Sequence, residues 1–178
     1  MNLEKLFKMQ KELDERILDR FPELRNEDLL DKKILALQVE IGELAQNWRG
    51  FKFWSEDREP RNYCMACDIP QVEAHDCHNP LLEEYVDCLH FILSIGLEIE
   101  ADGEIRINPI RERFITEQFN QLFNKVGDFY RFSNKGNYFW IINLFIGLGE
   151  MLGFTWEQIE TAYLEKNKIN HQRQQENY

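Results

Sequence analysis

From Leu81 to about Ile99 the sequence is apolar on nearly every side of a helix, and the few polar side chains inside it include Glu84 and Asp87. A helix without a polar face has to be enclosed by other elements, so this segment sets the centre of any fold the chain adopts. The rest of the sequence supplies the enclosure. Leu3, Leu6, Gln10, Leu13, Ile17 and Phe21 step by three and four along one stripe, which Pro22 closes. Leu30, Ile34, Leu37, Ile41, Leu44 and Trp48 do the same in a second helix that runs to Gly50. Phe114, Phe119, Leu122, Phe123, Val126 and Tyr130 predict a fourth helix, followed by a loop at Ser133–Gly136. Tyr138 to Leu152 predict a fifth. Its apolar run is broken by Asn143, closed by Glu150, and too short to span a bilayer. Thr155 and Gln158 form a capping-box pair that starts the last helix. The expected fold is all-α: a helical bundle of about six helices in one domain covering 1–178, with an irregular insert at about 55–80 between the second and third.

The chain has no basic, apolar leader at its first residues, and the expected location is cytoplasmic. Its net charge of −11 argues against a nucleic-acid backbone as partner, because that surface needs basic residues. An acidic chain still handles phosphates when divalent cations intervene. Four acids are placed for that. Glu40 and Glu43 share one face of the second helix, with Glu40 about 60° from Leu37 and about 40° from Leu44 around the axis. Glu84 and Asp87 repeat the spacing on the apolar third helix, where Glu83, His90 and Ser94 are the other polar side chains. Carboxylates gathered at a helix seam repel one another and gain protons unless a cation neutralises them. Hard oxygen ligands in that number suit Mg²⁺ or Mn²⁺, and magnesium also takes phosphate oxygens. Either motif alone is ordinary on a solvated helix face; both together beside apolar seams are not.

The last helix carries the densest set of hydrogen-bonding side chains. Tyr163, Lys166, Asn170 and Arg173 make one stripe, and Asn167, His171, Gln174 and Tyr178 line the next. Between Lys166 and Arg173 the charge is net positive, a local reversal suited to phosphate oxygens. Gln10 places a neutral amide at a seam position of the first helix. Two readings stand open for it: pairing with the edge of a pyrimidine base, or satisfying another buried polar group.

These residues resemble a known family. Glu40-x-x-Glu43 followed by Glu84-x-x-Asp87 resembles the metal motif of the all-α NTP pyrophosphohydrolase superfamily, which includes the MazG-like enzymes. The run Lys166-Asn167-x-x-Asn170-x-x-Arg173-Gln174-x-x-x-Tyr178 resembles the terminal signature of the dimeric dUTPases, with Asn177 where that signature usually has Gly. Gln10-x-x-Leu13-Asp14 and Phe51-Lys52-x-Trp54-Ser55 are also similar to that family. The resemblance implies a homodimer that hydrolyses dUTP, and often dUDP, with Mg²⁺, giving dUMP and pyrophosphate from dUTP. It implies that Glu40, Glu43, Glu84 and Asp87 hold the metal, and that Glu40 or Glu43 activates water. Lys166 and Arg173 would neutralise the phosphates. Gln10, Lys52, Trp54, Asn167, Asn170, Gln174 and Tyr178 complete the substrate-binding set. A related hydrolase preferring dCTP or several NTPs, or a non-catalytic helical protein that binds a nucleotide or a partner, are the competing readings.

Cys64-x-x-Cys67 and the nearby Cys77, with His75 or His78 as a fourth ligand, suit a structural Zn²⁺ site inside the insert. Free thiols are the alternative. Cys88, on the apolar helix, is expected to be a plain core residue.

Overall fold

The computed structural model describes residues 3–62 and 79–176. The expected insert residues Cys64, Cys67, His75, Cys77 and His78, and the terminal Tyr178, lie outside the described residues. The described chain is helical throughout: α1 (Leu3–Arg20), a 3₁₀ turn (Pro22–Asn26), α2 (Leu30–Trp48), α3 (Pro80–Glu98), α4 (Ile115–Arg131), α5 (Lys135–Met151) and α6 (Trp156–Gln175). No strand occurs among these residues, and no single helix among them is long and apolar enough to cross a membrane.

The all-round apolarity of α3 is explained by its neighbours. It packs against α1, α2, α5 and α6, so no side of it faces water for long. Leu81, Tyr85, Val86, Cys88, Leu89, Ile92 and Leu93 are almost wholly enclosed, Cys88 among them as a core residue. The α2 stripe of Ile34, Leu37, Ile41 and Leu44 is buried against it, and α4 pairs with α5 on the far side. Tyr85 stacks on Phe145 with ring centres 4.2 Å apart and donates its hydroxyl to Phe145 O at 3.1 Å. Tyr138 does the same to Ile92 O at 2.9 Å. Each buried phenol thereby keeps a partner for its one polar group, as burial requires.

Helix ends follow the local chemistry. Asn79 accepts from Leu82 N ahead of Pro80, a residue suited to a first turn because it has no N–H to leave unpaired. Asn134 accepts from Asn137 N, so α5 begins at Lys135, inside the segment that the apolar pattern alone assigns to a loop. The capping box at Thr155 and Gln158 is complete in both directions. Replacing Thr155 with Ala removes one half of it and is expected to lower stability by about 1 kcal/mol, roughly 2–4 °C in a thermal melt of a chain this size. A melt unchanged within a degree would show that α6 is held by its packing alone.

Residues 101–114 form an irregular strap over α5. Buried amides anchor it. Asn143, the polar break in the α5 run, accepts from Asn108 N, while Ile110 N donates to Asn143 O at 3.0 Å. Gln118 donates to both Ile110 O and Leu144 O at 2.7 Å and accepts from Glu112 N at 2.7 Å. These two side chains satisfy Asn108 N, Ile110 O and Glu112 N, strap groups that lie in no helix. Gly147 completes the fit, since Ile110 O lies where its Cβ would be.

α1 and α6 are bound to each other along their lengths, from Lys5–Glu160 (2.7 Å) at one end to Arg20 at the other. There the Arg20 guanidinium donates to the carbonyls of Arg173 and Gln174, which lie in the last turn of α6, where carbonyls have no helical partner.

Candidate active site

A cavity of about 520 Å³ opens between α1, α2, α3 and α6. Glu40, Asp87, Lys166, Asn170, Arg173 and Gln174 line it, and further along α3 and α1 so do His90, Ser94, Gln10 and Asp14. It therefore joins the acidic motifs and the terminal signature, which are far apart in sequence.

At the acidic end, carboxylate oxygens of Glu40, Glu84 and Asp87 lie within 4.8 Å of one another. Glu43, the fourth expected acid, is exposed and stands outside this trio, but its charge still acts on both glutamates. Burial first, then the charges of Asp87 and Glu43, push Glu40 up to about 7. Glu84 is pushed up to about 7 by burial and by Asp87, Glu43, Glu40 and Glu83. Asp87 is also raised, because burial outweighs its hydrogen bond from Lys166. Lys166 Nζ donates to Asp87 Oδ2 at 2.6 Å and to Glu83 Oε1 at 3.0 Å. Burial is the largest single influence and works against its charge, but the hydrogen bonds to and charges of Asp87 and Glu83 together outweigh it and hold its pKa above the ordinary value. Asn47 adds one donor, to Glu84 Oε1 at 3.3 Å. One ammonium and one amide do not neutralise three crowded carboxylates. The donor set, all hard oxygens with elevated proton affinity, is the kind a small divalent cation displaces protons from.

The other end of the cavity is a hydrogen-bonded chain. Ser94 Oγ donates to Asp14 Oδ2 at 2.6 Å, and Gln10 Nε2 donates to Asp14 Oδ1 at 2.7 Å. Gln10 Oε1 then accepts from Tyr163 OH at 2.9 Å and faces His90 Nδ1 at 2.7 Å. The Gln10 amide thus bonds to buried polar neighbours and also lines the cavity, so both readings of it stand. Lys33, which pairs with Glu98 at 2.6 Å and stands 3.9 Å from Asp14, closes this end. Asp14 is raised by burial, against the hydrogen bonds of Ser94 and Gln10 and the charge of Lys33.

The remaining expected residues are placed as follows. Asn167 is buried, with its Nδ2 unpartnered among the described atoms. Lys52 lies over the Phe51 ring and Trp54 is 65% exposed, edge-on to Phe51 and Phe53; neither lines the cavity. Sequence reasoning singled out Glu40, Asp87 and the α6 stripe but passed over His90, Ser94, Asp14 and Lys33 as site residues. The signal for two of them was present, since His90 and Ser94 are polar residues in an otherwise apolar helix.

No curated protein matches the chain. The sequence profile of the dUTPase family matches residues 2–66 and 71–178, which takes in both acidic motifs, the cavity and the terminal signature. With agreement over nearly its whole length, the chain belongs to the dUTPase family and is a dUTP diphosphatase.

Proposed function

We propose that this chain, as one domain over 1–178, hydrolyses dUTP, and dUDP as well, in a reaction that depends on Mg²⁺, and that the cavity between α1, α2, α3 and α6 is the substrate site. The observation that carries this reading is the trio of crowded, half-buried carboxylates beside Lys166. Glu40, Glu84 and Asp87 would hold the divalent ion, with Glu43 at the rim available to join them. When bound, that ion neutralises phosphate charge and makes water easier to deprotonate. The protein's own groups do the rest. Lys166 transfers its hydrogen bond from Asp87 to phosphate oxygens, and Arg173 approaches from the next turn of α6 but one. Glu40 by preference, or Glu43, takes the proton of the attacking water. The α–β phosphoanhydride breaks, and dUMP and pyrophosphate leave. Asn167, Asn170 and Gln174, with Tyr178 beyond the described residues, line the path of the nucleoside; Lys52 and Trp54 would need to move to reach it.

A panel of dUTP, dUDP, dCTP, dTTP and ATP with Mg²⁺, scored by product release, tests the reading. Preference for dUTP is expected; equal turnover of all would favour a broad hydrolase, and no turnover a binding protein. Location in the cytoplasm, assembly as a homodimer and zinc in the Cys64–His78 segment are further parts of the proposal that rest on sequence. Sedimentation and elemental analysis check the last two, by a mass of one chain or a zinc content near zero.

The acidic trio also gives a pH prediction. Glu40 and Glu84 hold protons more tightly in the folded chain than the ordinary carboxylate does, so without metal the folded state is favoured at low pH. That advantage is lost as pH rises from about 4.5 to 7, while partial exposure screens part of it. Divalent cations compete with those protons. At pH 8 and about 100 times its dissociation constant, Mg²⁺ is expected to stabilise by roughly 2.7 kcal/mol, about 5–11 °C, and by clearly less at pH 5. Equal shifts at both pH values would place the ion elsewhere.

A further inference from the structure

Three acids near the start of α3 divide into two pairs by spacing alone. At 100° per residue, Glu83 stands about 40° to one side of Asp87 around the helix axis and Glu84 about 60° to the other. α3 packs against both α2 and α6, and the two glutamates face different ones. Glu84 turns to α2, where it accepts from Asn47 at 3.3 Å and joins the carboxylate trio with Glu40. Glu83 lies outside that trio and turns to α6, where it accepts from Lys166 Nζ at 3.0 Å. Asp87 belongs to both pairs. It is a member of the trio, and its Oδ2 accepts from the same ammonium at 2.6 Å.

A carboxylate shared between an ammonium and a divalent ion cannot serve both fully. An ion on Asp87 offsets the negative charge that attracts Lys166 and sets a second, larger positive charge close to it. The lysine stem is flexible and its ammonium strongly hydrated, so without another anion the group would swing out to water. Yet the metal-loaded protein is the one in which Lys166 has to meet phosphate. We infer that Glu83 holds Lys166 in the cavity once a divalent ion has taken Asp87, which makes Glu83 a positioning residue that acts through the ammonium. This rests on the reading that the trio takes the ion and Lys166 the phosphate. An ammonium has three donors, so a bond to Glu83 and bonds to phosphate coexist. Glu83 is half exposed at the rim, while the ammonium it holds is on a side chain only 11% exposed. A structural role competes, because an acid in the first turn of a helix also offsets the positive end of the helix dipole. That role does not involve Lys166, and two measurements separate them.

The first follows Lys166 itself, with magnesium as the only ligand. Native protein and Glu83→Ala are treated briefly with acetic anhydride, and acetylation of Lys166 is read by peptide mass spectrometry with and without Mg²⁺. Without metal, Asp87 holds the ammonium in both proteins, and the two are expected to label alike. With Mg²⁺, labelling of Lys166 is expected to rise about 10-fold in the variant and to stay low in the native protein. Equal labelling of the two in Mg²⁺, whether both low or both high, overturns the inference and leaves Glu83 its helix-dipole role. The second is a double-mutant cycle on kcat/KM for dUTP at saturating Mg²⁺. Glu83→Ala is expected to lose about 10-fold in the native background and nothing in a Lys166→Met background. An equal loss in both backgrounds, or none in either, overturns the inference. Glu83→Gln keeps an oxygen for the ammonium and is expected to lose less. Should the alanine variant fail to fold, the glutamine variant goes through the same comparisons, which then decide. A Lys166→Met protein as active as the native one would sink the phosphate reading of Lys166, whereas a slow Lys166→Met beside an unaffected Glu83→Ala sinks this inference alone.

Discussion

Asp87→Asn is expected to lower kcat/KM for dUTP by about 10³-fold, close to 4 kcal/mol of transition-state stabilisation, while leaving the fold intact. The substitution keeps an oxygen for the Lys166 hydrogen bond and removes one charge from the trio. Asp87 is the second-largest influence, after burial, on both Glu40 and Glu84, so those two return toward the ordinary carboxylate range. Asp87 itself is raised by burial, which means that its charge works against the folded state near neutrality. The metal-free variant should therefore melt at the same temperature as the native protein or above it, with a smaller gain on adding Mg²⁺. Steady-state kinetics beside thermal melts reads both quantities. Lost activity with lost stability would make Asp87 a structural residue, and full activity would remove it from the mechanism.

Gly147→Ala should do the reverse, acting on stability first. A Cβ at this position falls inside the carbonyl of Ile110 and 2.7 Å from its carbon, and these are backbone atoms without a rotamer to escape by. The carbonyl is also held in place, because it accepts from Gln118 Nε2, while Ile110 N donates to Asn143 O. Either α5 retreats from its packing or the strap leaves its anchors. Overpacking costs about 1–3 kcal/mol, and because backbone is met here the upper figure of about 3 kcal/mol applies, so a fall of roughly 6–12 °C in the melt is expected. The cavity is lined by α1, α2, α3 and α6, so dUTP turnover at low temperature should survive. A shift under about 2 °C would mean that residues 101–114 yield freely.

Helices were the legible part, because the stripes along α1, α2 and α4 repeat with the period of the element itself. The enclosure of α3 followed from its lack of a polar face. Glu40 and Asp87 were legible because a carboxylate beside an apolar seam is expensive and asks for a reason. The strap over α5 was not, since its order comes from Asn143 and Gln118 reaching across 35 and 26 residues to backbone groups that carry no sequence signature. Nor was the setting of His90. It depends on Gln10, 80 residues away, and on Tyr163, which reaches Gln10 across 153 more. A pattern along one helix does not reveal which side chains from distant segments will meet. Glu43 shows the limit in the other direction: spacing puts it on the face of Glu40, but it stands at the rim while Glu84 completes the trio.

Lys166 also has an implication for biosynthesis. Seventy-nine positions separate it from Asp87. At ordinary translation speeds of about 5–20 residues per second, the last of the three acids leaves the ribosome roughly 4–16 s before the lysine that hydrogen-bonds to it. A nascent hairpin of α2 and α3 thus emerges with an uncompensated electrostatic defect in its interior. During that window, protons or dissolved cations are the only available substitutes. Magnesium should accordingly alter folding during synthesis more than it alters refolding of the full-length chain from denaturant, in which Lys166 is present from the start.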